Sequence, residues 1–321
     1  MAESQGIPRI TILGSLNMDL VSYVKHHPLP GETMTATKFV TSPGGKGANQ
    51  AVACAKLSRA SDLNGSSAIV AMAGAVGGDG HGMVLRDSLS SYGVDIEGVA
   101  VRREMNTGIA IIVVDEPSGQ NRIILSPEAN HSLHAEDYHA VRGPRPDLLI
   151  MQLEIPLEVV LRALKTAKAA GIPVLLNPAP AQELPADAYD GLDHLVVNET
   201  EASILSGFPE SELETREGLD RAGALFLERG VKNLLITLGG RGVYYVNKAG
   251  KSDLVSAIST TVVDTTAAGD TFVGSYALSI VDQEQKFKID EAVAKANKAS
   301  AITVSREGAQ VSIPWKDELD E

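Results

Sequence analysis

Leu148-Leu149-Ile150-Met151, the helical pattern of Leu157–Ala170 and Val174-Leu175-Leu176 form the stretch that decides the fold. The two outer runs are short, unbroken and apolar, the pattern of strands buried on both faces. The middle run repeats its apolar positions at the period of an amphipathic helix. Strand, helix and strand in that order imply two parallel strands joined by a right-handed crossover. The alternation extends in both directions. Ile10–Leu13, Ala68–Ala73, His194–Val197 and Leu234–Thr237 read as further buried strands. Gly47–Arg59, Gly82–Tyr92, Glu199–Ser206, Leu219–Arg229, Ala268–Val281 and Asp290–Ser305 read as helices. The expected fold class is α/β: a layered α/β/α arrangement with a mostly parallel central sheet, in a single domain over residues 1–321.

Two segments break this rhythm. Leu20–Val40 holds two period-2 stretches around His27-Pro28-Leu29-Pro30-Gly31, and Val99–Ser126 holds three more, with Glu116-Pro117-Ser118-Gly119 as a turn. Strands with one polar and one apolar face, inserted at about 19–42 and 99–127, imply a small β-sheet lid standing off the main sheet. Its apolar face invites a second copy of the chain, so a homodimer through the lid is expected.

The 321 residues carry 28 Lys and Arg against 41 Asp and Glu, a net charge of -13. That field repels a nucleic-acid backbone, so an anionic ligand must be held by a few local cations and backbone N–H groups. Cys54 is the lone cysteine and cannot form an internal disulfide. Met1–Pro8 lacks the apolar core of a secretory signal, and the best apolar run, Ala68–Val76, falls far short of a bilayer span. The terminal Asp317-Glu318-Leu319-Asp320-Glu321 matches no retention signal, and a cytoplasmic protein without a membrane partner is expected. The histidines show no metal-ligand spacing. Gly74–Gly82 superficially resembles a dinucleotide fingerprint but has no acidic partner at the next strand end.

The chemistry concentrates in strand-end motifs. In Val262-Val263-Asp264-Thr265-Thr266-Ala267-Ala268-Gly269-Asp270-Thr271-Phe272 a strand ends, small residues follow and a helix begins. The N–H groups of Ala267, Ala268 and Gly269 then form an anion hole at a positive helix end, beside Asp270, which can accept a proton from an attacking hydroxyl. The plainer alternative makes Asp270 a helix-start acid favoured by the dipole. Ser42-Pro43-Gly44-Gly45-Lys46-Gly47-Ala48-Asn49-Gln50 lacks P-loop spacing. Lys46 and Asn49 share a helix face and suit a small polyol, although a tight loop with an exposed Lys fits as well. Asn17 and Asp19, placed at the carboxyl end of the first strand, suit neighbouring hydroxyls, or else form an Asx turn. Glu154 and the Asn198-Glu199-Thr200-Glu201 segment follow strands and suit hydroxyls or Mg²⁺, with helix capping as the alternative. Thr237-Leu238-Gly239-Gly240-Arg241-Gly242 passes under a nucleotide or simply turns a hairpin.

Asn17-x-Asp19, Gly44–Asn49, Gly77-Gly78-Asp79, Asn198-x-x-Glu201 and Asp264-Thr265-x-Ala267-Ala268-Gly269-Asp270, in that order along nearly the whole chain, resemble the ribokinase-like carbohydrate and purine kinases. Met151–Glu154, Pro178-Ala179-Pro180 and Gly308–Trp315 resemble the ribokinase branch. The resemblance implies ATP-dependent phosphorylation of D-ribose at its 5-hydroxyl, with Mg²⁺ on the phosphates and a monovalent cation, K⁺, beside the anion hole. By matching positions, Asn17, Asp19, Gly45, Lys46, Asn49 and Glu154 hold the sugar and Asp270 is the base. The resemblance puts ATP along Asn198, Thr237, Leu238, Gly239, Gly240, Arg241, Gly242, Gly269, Asp270 and Asn297. Glu201 organises Mg²⁺. Asp264, Thr266, Thr303, Arg306, Gly308 and Ser312 form the K⁺ loop, mainly through carbonyls. Alternatives are another kinase of the superfamily acting on deoxyribose, a nucleoside or a keto-sugar, a silent sugar-binding sensor, and an NAD oxidoreductase. The polar loop Ser58–Ser67 has no functional reading.

Overall fold

The structure, a computed structural model, describes residues 6–140 and 143–319. The readings made on the extreme amino-terminal residues and on Asp320 and Glu321 lie outside the described residues. The chain runs β1 (Arg9–Leu13), β2 (Asn17–Val24), β3 (Lys38–Gly44), α1 (Lys46–Ser58), β4 (Ile69–Gly77), α2 (Gly80–Ser91) and β5 (Asp95–Arg102). It continues through β6 (Gly108–Asp115), β7 (Asn121–Ser126), β8 (Leu148–Met151), α3 (Leu157–Ala169), β9 (Val174–Leu176), β10 (His194–Asn198) and α4 (Glu199–Ser206). It closes with α5 (Arg216–Arg229), β11 (Asn233–Thr237), β12 (Val243–Asn247), β13 (Ser252–Val255), α6 (Ala268–Val281) and α7 (Ile289–Val304).

Among the described residues, the main sheet has the order β13-β12-β11-β10-β9-β8-β1-β4-β5. It is parallel from β11 to β5, with β12 and β13 antiparallel at one edge. Its central strands are apolar on both faces. Ile10, Ile12, Leu148, Ile150 and Val196 pack with α1, α2, α6 and α7, whereas Leu13, Met151, Leu176 and Val197 pack with α3, α4 and α5. The helix between β8 and β9 shows why: Val159, Val160, Ala163, Leu164 and Ala167 form one buried stripe, and each larger side chain so removed from water contributes roughly 1.5–3 kcal/mol. Three layers result, as the apolar patterning predicts.

β3, β2, β6 and β7 form a separate small sheet, in that order. The first strand of the Val99–Ser126 segment does not join it. β5 pairs in parallel with β4 from Ala71 to Gly77 and forms the far edge of the main sheet, so the second lid insertion begins at Gly108 rather than about 99. Period-2 patterning alone does not distinguish an edge strand of a layered sheet from a lid strand, because both have one wet face. Asn17 and Asp19 also move: β1 stops at Leu13, and both residues lie in β2, opposite Gly44 and Ser42 of β3.

The chain departs from β1 toward β4 and β5 on one side and later returns to β8 on the other. The crevice beyond the carboxyl ends of β1 and β8 is therefore a topological switch point, where open α/β sheets bind ligands. The Ser58–Ser67 loop lies away from it and is tied to the carboxyl-terminal segment, where Ser61 Oγ donates to Asp317 (2.9 Å).

Candidate active site

Three glycines bring the two strand ends together. A Cβ on Gly47 would lie 2.6 Å from the Ser15 nitrogen, one on Gly45, at φ +88°, 2.7 Å from the Asn17 nitrogen, and one on Gly44 2.1 Å from an Asp19 carboxylate oxygen. The glycines of this turn therefore admit the chain's own residues 14–19, rather than only a ligand, against the start of α1. Across the switch point, Glu154 Oε2 accepts hydrogen bonds from Ser15 Oγ (2.6 Å), the Lys46 N–H (3.0 Å) and Asn17 Nδ2 (3.3 Å). Its Oε1 has no partner among the described residues. Asn17 is not in an Asx turn, because its Oδ1 accepts from Asn130 Nδ2 (2.7 Å), and Asn130 also bonds both backbone groups of Leu16.

Asp19 is 8% exposed, and neither of its carboxylate oxygens receives a hydrogen bond from a described residue. Burial, reinforced by the charges of Glu154 and Asp270 and opposed by Lys46, pushes its carboxyl up to about 7. For Lys46, burial pushes the ammonium down, but Asp270, Glu154, Glu201 and Asp19 together outweigh it and hold the pKa above the ordinary lysine value. The cation is thus kept charged amid four carboxylates. Glu201 is raised by burial and by Asp270, against the Asn198 N–H and Lys46.

Asp270 sits in the first turn of α6 and is buried. Its Oδ2 accepts from Asn49 Nδ2 (3.1 Å) and its Oδ1 from Gln50 Nε2 (3.0 Å). Ala267 caps this helix in the left-handed conformation, at φ 60°. The N–H groups of Ala267, Gly269 and Asp270 have no acceptor among the described residues, whereas that of Ala268 donates to the Thr265 carbonyl at 3.3 Å. The open donors are therefore Ala267, Gly269 and Asp270 rather than the three expected, because the chain makes a tight turn before the helix. A Cβ built on Gly269 meets nothing within 4 Å, so open space lies before these donors. Open backbone donors thus lie beside a buried carboxylate that is electrostatically coupled to Asp19 of β2 and Lys46 of α1, an arrangement able to receive an anion.

A glycine-rich turn follows β11. Cβ atoms on Gly239 and Gly240 likewise meet nothing within 4 Å, leaving a smooth backbone cradle after β11, and Thr237 lies at that strand's end. Leu238 accepts a turn hydrogen bond from Arg241. The Arg241 guanidinium points away, paired with Glu199 and donating to the Glu214 carbonyl (3.0 Å), so only its backbone faces the cradle. Gly242, at φ +103°, packs against Val255. Asn198 is exposed with its Nδ2 uncommitted, and Asn297 donates to Ser256 (3.3 Å) with its Oδ1 uncommitted, among the described residues. Asn198 and Glu201 form a capping box. It engages Glu201 Oε2 at 2.9 Å and leaves Oε1 without a partner among the described residues. No cluster of three His, Cys, Asp or Glu able to hold a metal occurs among the described residues, so such an ion would rely on phosphate and water.

Behind α6, Asp264 ties two loops: Oδ1 accepts from the Thr266 N–H (2.9 Å) and Oδ2 from the Gly308 N–H (2.9 Å). The carbonyls of Asp264, Thr266, Arg306, Gly308 and Ser312 receive no hydrogen bond among the described residues. That of Thr303 ends α7 and accepts from the Arg306 N–H (3.1 Å). The Arg306 side chain is engaged by Glu318. The glycine run after β4 is structural: Asp79 caps α2 and accepts from the Thr107 N–H (2.8 Å), and Gly77 lies against Asn106.

A family model described as the pfkB family carbohydrate kinase matches residues 8–316. The chain belongs to that family. Among relatives of this kinase, a ribokinase of Schizosaccharomyces pombe is 44% identical over 316 residues, covering 97% of this chain and 96% of that protein. A deoxyribokinase of Salmonella typhi is 34% identical over 315 residues, with 97% of each chain covered. The structure of Arabidopsis thaliana ribokinase complexed with ribose and ATP superposes with a TM-score of 0.83 at 30% identity, covering 98% of each chain. The fold of this carbohydrate kinase is that of the ribokinases. None of its described helices is long and apolar enough to cross a membrane.

Several participants are not apparent from residue type. Gln50 and Gln152 stand within the strand-end motifs, and Gln310 within Gly308–Trp315, yet only the structure assembles them around Asp270. Asn130 and Asn177 have no local signal, since their partners lie 114 and 127 residues away.

Proposed function

We propose that this kinase transfers the γ-phosphoryl group of ATP to the 5-hydroxyl of D-ribose, giving ribose 5-phosphate and ADP. The observation that carries the reading is the buried Asp270 carboxylate beside the open N–H groups of α6, opposite an unpartnered Asp19. Phosphoryl transfer needs positioning and charge stabilisation more than covalent chemistry, and each part is present. Asp19, Asn17, Glu154 Oε1, Gly45 and Lys46 orient the sugar from β2 and α1. Asp270 accepts the 5-hydroxyl proton as its oxygen attacks phosphorus. The Ala267, Gly269 and Asp270 N–H groups meet the charge that builds on the transferred oxygens, with Lys46 as a nearby cation. The backbone of Thr237–Gly242, with Asn198 and Asn297, cradles the nucleotide.

Mg²⁺, with Glu201 Oε1 reaching it through water, would neutralise phosphate charge, and K⁺ in the Asp264–Ser312 carbonyl set would add positive potential behind the anion hole. The exposed Phe39, Ile111 and Ile124, which the register places on one face of the lid, would be covered in a homodimer. The single cysteine, buried and pushed up to about 12, is inert, which suits a cytoplasmic setting.

A coupled ADP-release assay over sugars and nucleosides tests this reading. Ribose should give the highest kcat/KM. Release no faster with ribose than without sugar, or a higher value with a nucleoside, would overturn it.

A further inference from the structure

Among the described residues, every hydrogen bond that reaches the Asp270 carboxylate comes from a side-chain amide, and each of those amides is itself oriented by another. A carboxamide has a donor end and an acceptor end, and in a buried site the wrong end facing a carboxylate places two acceptors together. On one branch, Gln50, fully buried, donates from Nε2 to Asp270 Oδ1 (3.0 Å) and to Asn177 Oδ1 (3.0 Å), and accepts at Oε1 from Gln152 Nε2 (2.6 Å). Asn177 in turn donates from Nδ2 to the backbone carbonyl of Val196 in β10 (2.9 Å). A strand carbonyl cannot turn around, so it sets the polarity of Asn177, and Asn177 that of Gln50. On the other branch, Gln310 donates from Nε2 to Asn49 Oδ1 (3.1 Å), which leaves Asn49 Nδ2 for Asp270 Oδ2 (3.1 Å).

We infer that Gln50, Asn177 and Gln310 are positioning residues. They form two polarised amide branches, that of Gln50 and Asn177 anchored on the Val196 carbonyl and that of Gln310 running through Asn49, which present donors to Asp270 and hold its carboxylate in the orientation from which it accepts the sugar's proton. The inference rests on Asp270 being the base, as proposed above. It assigns work to three side chains outside the sugar and nucleotide contacts proposed above. It also makes Asn49 a support of the base, since both ends of its amide are engaged by protein.

A double-mutant cycle tests it on the full-length enzyme, with Gln50→Met, Asn177→Leu and Asp270→Asn measured singly and in combination. Gln50→Met should lower kcat roughly 10- to 100-fold, the scale of a lost hydrogen bond to a charged group, with KM for sugar and ATP within about twofold of the parent. Asn177→Leu, which frees Gln50 to reverse, should lower kcat in the same direction. In the Asp270→Asn background both substitutions should change the residual rate less than about twofold, because they act through that carboxylate. Equal fold losses in both backgrounds, or a rise in KM in place of a fall in kcat, would overturn the network. If Gln50→Met does not fold, Asn177→Leu and Gln310→Leu read the two branches separately under the same criteria. Full activity in Asp270→Asn alone would instead refute Asp270 as base, a result distinct from either.

Discussion

Replacing Asp19 by asparagine should stabilise the ligand-free protein while damaging its activity, and the structure sets the size and pH range of the effect. The carboxyl of Asp19 rises from an ordinary 3.8 to about 7, first through burial and then through Glu154 and Asp270. Its folded pKa therefore exceeds its unfolded one. Between about pH 4 and 7 the folded chain keeps a proton that the unfolded chain has released, so stability falls as pH rises through that window and levels off above it. At about 1.4 kcal/mol per pH unit, the ionised carboxylate costs the ligand-free fold up to about 4 kcal/mol near neutrality. An asparagine does not titrate there. Urea denaturation of both proteins, without ligands, from pH 4.5 to 8 should show nearly equal stability at the acid end and a widening advantage for Asp19→Asn up to pH 7. The companion expectation concerns ribose, whose hydroxyls donate to the ionised form. Its affinity for the parent protein should rise as pH passes through about 7, and that slope should vanish in the variant. A stability difference that stays constant with pH would refute the assignment of a buried, unpartnered carboxylate at this position.

The same site yields further expectations. Asp270→Asn should retain sugar and ATP binding but lower turnover by about 10²–10⁴-fold, since an amide cannot take the hydroxyl proton; near-normal turnover in a coupled assay would remove Asp270 from that role. Ribose should exceed 2-deoxyribose in kcat/KM, and Asp19→Ala should narrow the gap; equal values in the parent protein would sink the pairing of Asp19 with the 2-hydroxyl. Turnover should rise when K⁺ replaces a large organic cation at equal ionic strength, and identical rates would count against a cation in the Asp264–Ser312 carbonyl set. Ile124→Glu, on a lid strand where that side chain is 62% exposed, should shift the protein to monomer in sedimentation, while a parent protein that is already monomeric would refute the lid dimer.

Much of the architecture is written in local pattern. The Leu148–Leu176 unit needs only strand and helix periodicity, and its elements fall where that periodicity puts them, since burial on both faces of a parallel strand demands an apolar side chain at nearly every position. The small residues before Asp270 foretell a helix start with open N–H groups because that geometry follows from the backbone alone. Pairing and polarity are different. Whether β5 joins β4 or the lid depends on which edge is free once the sheet assembles, and amphipathic alternation is the same in either place. Which carboxylates change their ionisation depends on desolvation and on charges from β2, β8, α1 and α6 meeting at one crevice, so Asp19 and Asp270 are electrostatic neighbours although 251 positions separate them in the chain. The amide network is the strongest case. Asparagine and glutamine carry no periodic signal, and the end each presents is decided only by a fixed partner such as the Val196 carbonyl, which exists once β9 and β10 lie side by side.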